Sequence, residues 1–194
     1  MEPYLQHYRL LKDPEARKHF DKVVEDTPGD GFFFIAIGRK LLQMLRGEID
    51  PLEFIFRDGL ADRYYEALLN SDYHVYPASK FAELYSFKNP SMKVIEIGAG
   101  TGGQTMGLLQ AMSHDGVKKW AQYDYTDISP SFFTHAREKF HEFLDFMRFR
   151  VCDISEDTVK QGFDSDYDLV IASHVLHATD SLQNTLGHVL HLAY

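Results

Sequence analysis

The apolar positions of this chain change rhythm near residue 90. Before that point they recur every three or four residues. Leu60, Tyr64, Leu68 and Leu69 fall on one face between Gly59 and Asn70, the spacing of an amphipathic helix. Asp50-Pro51-Leu52-Glu53 has the form of a helix start, with Asp as the cap, Pro at the first helical position and an acid at the third. A further helix is expected over 77–86. From Lys93 onward short β-branched runs alternate with helical patterns. Strands are expected over 93–97, 120–126, 147–151 and 167–172. A helix is expected over 103–112, and a second opens at Ser129-Pro130, with Ser as cap and Pro at the first position. A last helix opens at Asp180-Ser181-Leu182-Gln183, which has the capping-box form. Strands that alternate with helices imply a parallel, doubly wound α/β sheet. The Asn89-Pro90-Ser91 turn separates the two rhythms. Residues 1–90 are expected to form a helical subdomain, and 91–194 a Rossmann-like domain.

The first half is rich in aromatics, among them Tyr64, Tyr65, Tyr73, Tyr76 and Tyr85. Two readings stand: an ordinary helical core, or a lid whose rings line a substrate entrance. Composition narrows the partners. Hydrophobic residues make up 44% of the chain and charged ones 25%, with a net charge of −9. A protein that tracks nucleic acid needs a basic stripe, and none is present. The lone Cys152 excludes an intrachain disulfide and a cysteine-rich metal site. No secretory leader is visible at 1–8 and no apolar run is long enough for a membrane span. A soluble, cytoplasmic protein without a metal, acting on a small or carrier-bound substrate, is the expectation.

Chemistry concentrates at 94–105, Val-Ile-Glu-Ile-Gly-Ala-Gly-Thr-Gly-Gly-Gln-Thr. A strand runs into glycines and then a helix, so backbone can approach a ligand and a helix N-terminus faces it. Gly98, Gly100 and Gly103 satisfy the dinucleotide pattern. Glu96, Gly98, Gly100 and Gly102 equally satisfy E-x-G-x-G-x-G, the motif of S-adenosylmethionine (SAM) methyltransferases. The acids separate the two. Asp127, at the end of the second strand, suits ribose hydroxyls in either cofactor. Asp153, after the third strand, lies on the rim where an adenine amino group belongs. Glu96 discriminates, because a carboxylate there repels pyrophosphate and attracts the ammonium and sulfonium of SAM. Asp127 and Asp153 each also have a plainer use as helix caps.

Residues 94–103, Tyr125-Thr-Asp-Ile-Ser-Pro-Ser-Phe-Phe133, Gln161-Gly-Phe163 and Tyr167-Asp-Leu-Val-Ile-Ala-Ser-His-Val-Leu-His-Ala-Thr179 together resemble the C-methyltransferase domain of fungal highly reducing polyketide synthases. Arg46-Gly-Glu-Ile-Asp-Pro-Leu-Glu53 and Asp62-Arg-Tyr-Tyr65 resemble that family's helical region. The resemblance implies methyl transfer from SAM to the α-carbon of a β-ketoacyl thioester on an acyl carrier protein, beside other synthase domains. It also implies that His177 is the base that removes the α-proton; imidazole titrates near neutral pH, as that role requires.

Two departures stand out. His174 occupies a position where the family usually has Asn. The family's orienting glutamate, on a later strand after a Pro-Gly-Gly turn, has no counterpart before Tyr194. Four strands of a usual seven are expected, so the methyltransferase domain is read as C-terminally incomplete. Three alternatives accompany this reading: a non-catalytic remnant that at most binds SAM, a free-standing O- or N-methyltransferase, and an NAD-dependent dehydrogenase.

Overall fold

Asp13-Pro14-Glu15 and Asp50-Pro51-Leu52-Glu53 use the same device to start helices. The Asp13 carboxylate accepts the N–H groups of Glu15 (3.0 Å) and Ala16 (3.5 Å). The Asp50 carboxylate accepts that of Glu53 (2.8 Å). Each satisfies donors that have no partner inside the helix. The structure, a computed structural model, describes residues 12–27, 29–69, 72–113 and 116–193, with backbone alone at 69 and 72–75. Residues 1–8 and the Tyr73 side chain, both used in the sequence argument, lie outside the described residues.

Contacts divide the chain into two compact units, Met1–Ser71 and Asp72–Tyr194. The first contains α1 (Pro14–Asp26), α2 (Gly31–Leu45), α3 (Pro51–Phe56), a 3-10 turn at Arg57–Gly59 and α4 (Leu60–Leu69). Helices α1 and α2 pack together, joined by a bidentate Arg39–Glu25 pair at 2.9 and 2.8 Å. They approach so closely at Gly31 that a Cβ there would lie 2.0 Å from the Val24 carbonyl oxygen. Tyr64 stacks on Phe33 at 4.1 Å between ring centres, with Phe34 edge-on at 6.2 Å.

The second unit begins with α5 (Asp72–Lys88), longer than the helix expected over 77–86 and with Pro77 inside it. A proline reads as a helix start in sequence, which hid the turn before it. Because α5 packs on α6 (Gly103–Ala111), the turn at 89–91 falls within the second unit. Four strands follow in a parallel sheet: β1 (Lys93–Glu96), β2 (Gln122–Asp127), β3 (Met147–Val151) and β4 (Leu169–Ile171), in the order β3-β2-β1-β4. Helices α7 (Phe132–Lys139) and α8 (Leu182–Ala193) complete the unit. Period-two alternation sends Val94, Tyr123 and Tyr125 into one buried cluster with Leu108, Leu109 and Phe140. Ile95 and Ile97 enter the other, with Cys152, Ile154, Phe163 and Leu192. Asp124, fully buried, is satisfied by a bidentate Arg148 at 2.8 Å and by the Tyr167 hydroxyl at 2.6 Å.

Two helix starts differ from expectation. Helix α7 begins at Phe132 because Asp127 accepts the Ser129 N–H at 2.9 Å. That bond folds 127–131 into a side-chain-capped turn before the helix opens. Helix α8 begins at Leu182, with the Ser181 hydroxyl, rather than Asp180, accepting the Asn184 N–H at 3.4 Å. Among the described residues no helix is long and apolar enough to cross a membrane.

Candidate functional site

The register places the carboxyl ends of the four strands side by side. Glu96 lies opposite Tyr125 on one side and Ile171 on the other, and Asp127 lies opposite Val151. The chain runs outward from β1 through β2 to β3 and then crosses back to β4 on the far side of β1, so a crevice opens at this edge, where open α/β sheets bind ligands.

The glycine turn is built into that edge by hydrogen bonds at almost every residue. Ile97 N–H reaches the Ile171 carbonyl (2.8 Å), Ala99 N–H the Thr126 carbonyl (2.9 Å) and Gly102 N–H the Ala99 carbonyl (2.9 Å). Gly100 N–H reaches the Asp127 carboxylate at 3.0 Å. The Tyr125 hydroxyl donates to the Gly100 carbonyl at 2.5 Å, and Lys139 Nζ donates to the carbonyls of Thr101 and Gly102, both at 3.1 Å. Gly100 and Gly102 adopt φ of 55° and 71°, in the left-handed region that favours glycine. They serve different ends. A Cβ on Gly102 would lie 2.5 Å from the Phe140 ring, so that residue permits packing. A Cβ on Gly100 would meet only the Gly98 carbonyl oxygen, at 4.0 Å, so there the missing side chain leaves space for a ligand.

A cavity of about 210 Å³ opens beside this turn, walled by Gly98, Asp127, Asp153, His174, Val175 and Thr179 among others. Three residues selected from sequence thus meet at one wall: Gly98, Asp127 and Asp153. Asp127 divides its carboxylate between the Gly100 and Ser129 amides. A carboxylate offers about four acceptor positions, so capacity remains for hydroxyls of a ligand. Asp153 accepts the Ser155 N–H at 2.9 Å. The Gln161 side chain clasps its backbone, accepting the Asp153 N–H at 2.9 Å and donating to the Asp153 carbonyl at 2.8 Å. Neither carboxylate caps a helix: Asp127 closes the turn that precedes α7 and Asp153 a turn over 153–155, and both stand on the cavity wall.

Glu96 and His177 are placed otherwise. Glu96 is 2% exposed and lies under the turn. One of its oxygens accepts from the Thr105 hydroxyl at 2.7 Å and the Tyr123 hydroxyl at 2.6 Å. Burial pushes its carboxyl up to about 7, against the pull of those two hydroxyls. His177 sits on a 3-10 turn, Leu176–Ala178, and is exposed; it does not line the cavity. His174 does line it, with φ of 53°. Outside glycine, this left-handed region is populated mainly by Asn, Asp and His, which gives a physical reason for a His at this position.

Sequence reasoning missed Tyr123, Tyr125, Thr105 and Lys139. The two tyrosines share the period-two face of β2, a signal that was available. Thr105 lies in the first turn of α6, and nothing in the sequence pointed to Lys139. Among the described residues no group of three or more His, Cys, Asp or Glu side chains is placed to hold a metal ion.

The chain belongs to the methyltransferase domain family, whose pattern matches residues 95–193. Within that class it is homologous to the C-methyltransferase domains of polyketide synthases. It is 44% identical over 161 residues to a squalestatin tetraketide synthase of Phoma sp. (strain C2932), a stretch that is 82% of this chain and 6% of that protein. It is 40% identical over 193 residues to a highly reducing polyketide synthase of Leptosphaeria maculans, 95% of this chain and 8% of that protein. The chain thus spans less than a tenth of the length of these relatives. Among solved structures, the trans-methyltransferase CalH in complex with SAH superposes with a TM-score of 0.73 at 32% identity, covering 94% of this chain and 51% of CalH. The CurJ carbon methyltransferase gives 0.67 at 31% identity, covering 99% and 49%. The expected Rossmann-like methyltransferase fold and family are therefore the observed ones.

Proposed function

We propose that this chain binds SAM and forms part of a C-methyltransferase that acts on the α-carbon of a β-ketoacyl thioester carried by an acyl carrier protein, alongside other polyketide synthase domains. The observation that carries the reading is the convergence of Gly98, Asp127 and Asp153 on one cavity at the carboxyl edge of the sheet. Asp127 and Asp153 in this wall suit the ribose hydroxyls and the adenine amino group of a nucleoside cofactor. Two further features support the fit: the open space at Gly100, and the buried Gln104 at the start of α6, whose amide nitrogen has no hydrogen-bond partner among the described residues. A donor left unsatisfied in a protein interior is costly, and an anionic ligand group such as a carboxylate would supply its acceptor. When bound, SAM supplies an electrophilic methyl group.

Asp127 takes the ribose hydroxyls in this reading, Asp153 faces the adenine, Gly98 and Gly100 let the backbone approach, and Gly102 makes room for the Phe140 ring beneath the turn. Glu96 contributes negative charge from beneath the turn. His177 takes the proton from the α-carbon of the β-ketoacyl chain, leaving a carbon nucleophile; its exposure leaves the ring accessible to a substrate delivered from outside.

The position of His177 outside the cavity wall favours one second reading, a chain that binds SAM without turning over. Calorimetry with SAM and SAH, paired with a methyl-transfer assay on a β-ketoacyl thioester, separates the two. Binding with turnover is the expected result for the catalytic reading, and binding without turnover selects the second. Failure to bind either SAM or SAH overturns both.

A further inference from the structure

The hydrogen bonds of the glycine turn divide by polarity. Three consecutive carbonyls, those of Gly100, Thr101 and Gly102, are each tied back by a side chain, the first by Tyr125 and the other two by Lys139. Lys139 comes from the last turn of α7 and is half-buried. Its ammonium lies 5.6 Å from the centre of the Phe140 ring, the same ring for which Gly102 leaves room. A cation beside the start of a helix runs against the helix dipole. Its placement there therefore contributes nothing to α6 through the dipole, and the two charge-assisted bonds to carbonyl oxygens are what the position provides. Peptide groups whose oxygens are held cannot rotate, so the N–H groups of the same turn keep a fixed direction.

We infer that Lys139 is a positioning residue for SAM: by holding the carbonyls of Thr101 and Gly102 it fixes the peptide groups at the start of α6 against which the cofactor binds. This rests on the SAM reading above. A second effect points the same way. The Lys139 charge favours the ionised form of Glu96, in concert with the Tyr123 and Thr105 hydroxyls and against the like charge of Asp127 and the cost of burial. Loss of Lys139 thus removes both a fixed geometry and part of the negative charge presented to a cationic ligand.

The test compares wild type with Lys139→Met and Lys139→Arg in the full chain, by amide hydrogen exchange without cofactor and by SAM calorimetry. Lys139→Met is expected to speed exchange locally at 100–104 and to weaken SAM binding by about tenfold, the scale of one charge-assisted hydrogen bond. Lys139→Arg, which keeps charge and donors, is expected to restore both to within about threefold. In the Met variant the SAM affinity is further expected to recover partly as pH rises above 7, because Glu96 ionises later. Unchanged exchange and affinity overturn the inference, as does a uniform loss of protection across the sheet, which would mark a merely structural role. Local loosening with unchanged affinity also overturns it, while leaving the SAM reading intact. A wild type that does not bind SAM refutes that reading itself, and the inference with it. Should Lys139→Met not fold, Lys139→Gln, which drops the charge but keeps a donor, is read by the same outcomes.

Discussion

Two turns follow neighbouring strands at the same sheet edge, and they are built on opposite principles. The turn after β1 is held by amides, carbonyls and side chains at successive residues, with Glu96 buried beneath it. The turn after β4 is exposed at both its histidines. Its hydrogen bonds include Ala178 N–H to the Val175 carbonyl at 3.0 Å, Thr179 Oγ1 to the Leu176 carbonyl at 2.9 Å and the Thr185 hydroxyl to Thr179 Oγ1 at 2.8 Å. The first is suited to bind a fixed ligand repeatedly in one pose. The second is suited to meet a substrate that arrives from elsewhere. Under the proposed function, with cofactor at the first turn and His177 at the second, a rigid element beside an open one is the arrangement expected when cofactor and substrate come by different routes.

The sharpest way to break this contrast is at the open turn. His177→Ala is expected to lower methyl transfer by about 10²- to 10⁴-fold, the usual contribution of a general base. SAM affinity and thermal stability should stay unchanged, because the side chain is exposed. A fall in affinity would show that His177 belongs to the cofactor site instead. At the built turn the balance reverses. Asp127→Ala removes an acceptor of two backbone amides and is expected to weaken SAM binding by about 100-fold, close to the 3 kcal/mol of a lost charged hydrogen-bonding group. Calorimetry that finds an unaltered affinity would remove Asp127 from the site.

Glu96 offers a pH test of the same rigidity. Its carboxyl is raised from 4.5 to about 7 in the folded chain. Between those values the unfolded chain ionises while the folded one stays protonated. Folding stability from this group therefore falls as pH rises from 4.5 to 7, then levels off. Glu96→Gln, which does not titrate, should gain on wild type across that window by up to about 3 kcal/mol. Denaturant unfolding at pH 5 and pH 8 measures it, and a constant difference between the two proteins would refute the buried-carboxyl account. The smallest effect belongs to His174. Replacement by Val, a β-branched residue at φ 53°, is expected to cost about 1–2 kcal/mol, and replacement by Asn under about 0.5 kcal/mol. Equal losses for both in thermal melts would show that conformation does not govern the position.

Much of the fold was legible because strands alternate with helices from Lys93 onward, and strand 147–151 is found as expected. Local signals failed where tertiary contacts decide. Ser129-Pro130 reads as a helix start, yet Asp127 captures the Ser129 amide and delays the helix to Phe132. The site divides in the same way. Asp127 and Asp153 follow from strand ends and spacing, whereas Lys139 acts from the far end of a helix and leaves no local mark. Glu96 was recognisable as special, but only packing shows that Tyr123 and Thr105 cover it.

The parallel sheet sets the order in which this site comes into being. Strand β1 pairs with β2, about thirty residues later, and with β4, some seventy-five residues later. Long separations of this kind make pairing slow, since closing the intervening chain costs entropy before any contact repays it. The glycine turn is synthesised before β4, so its Ile97 amide has no ladder partner until Ile171 has been made and docked. The ligand cavity is therefore a late product of folding. Any molecule that binds there senses a completed sheet, so cofactor occupancy would protect strands well beyond the residues it touches.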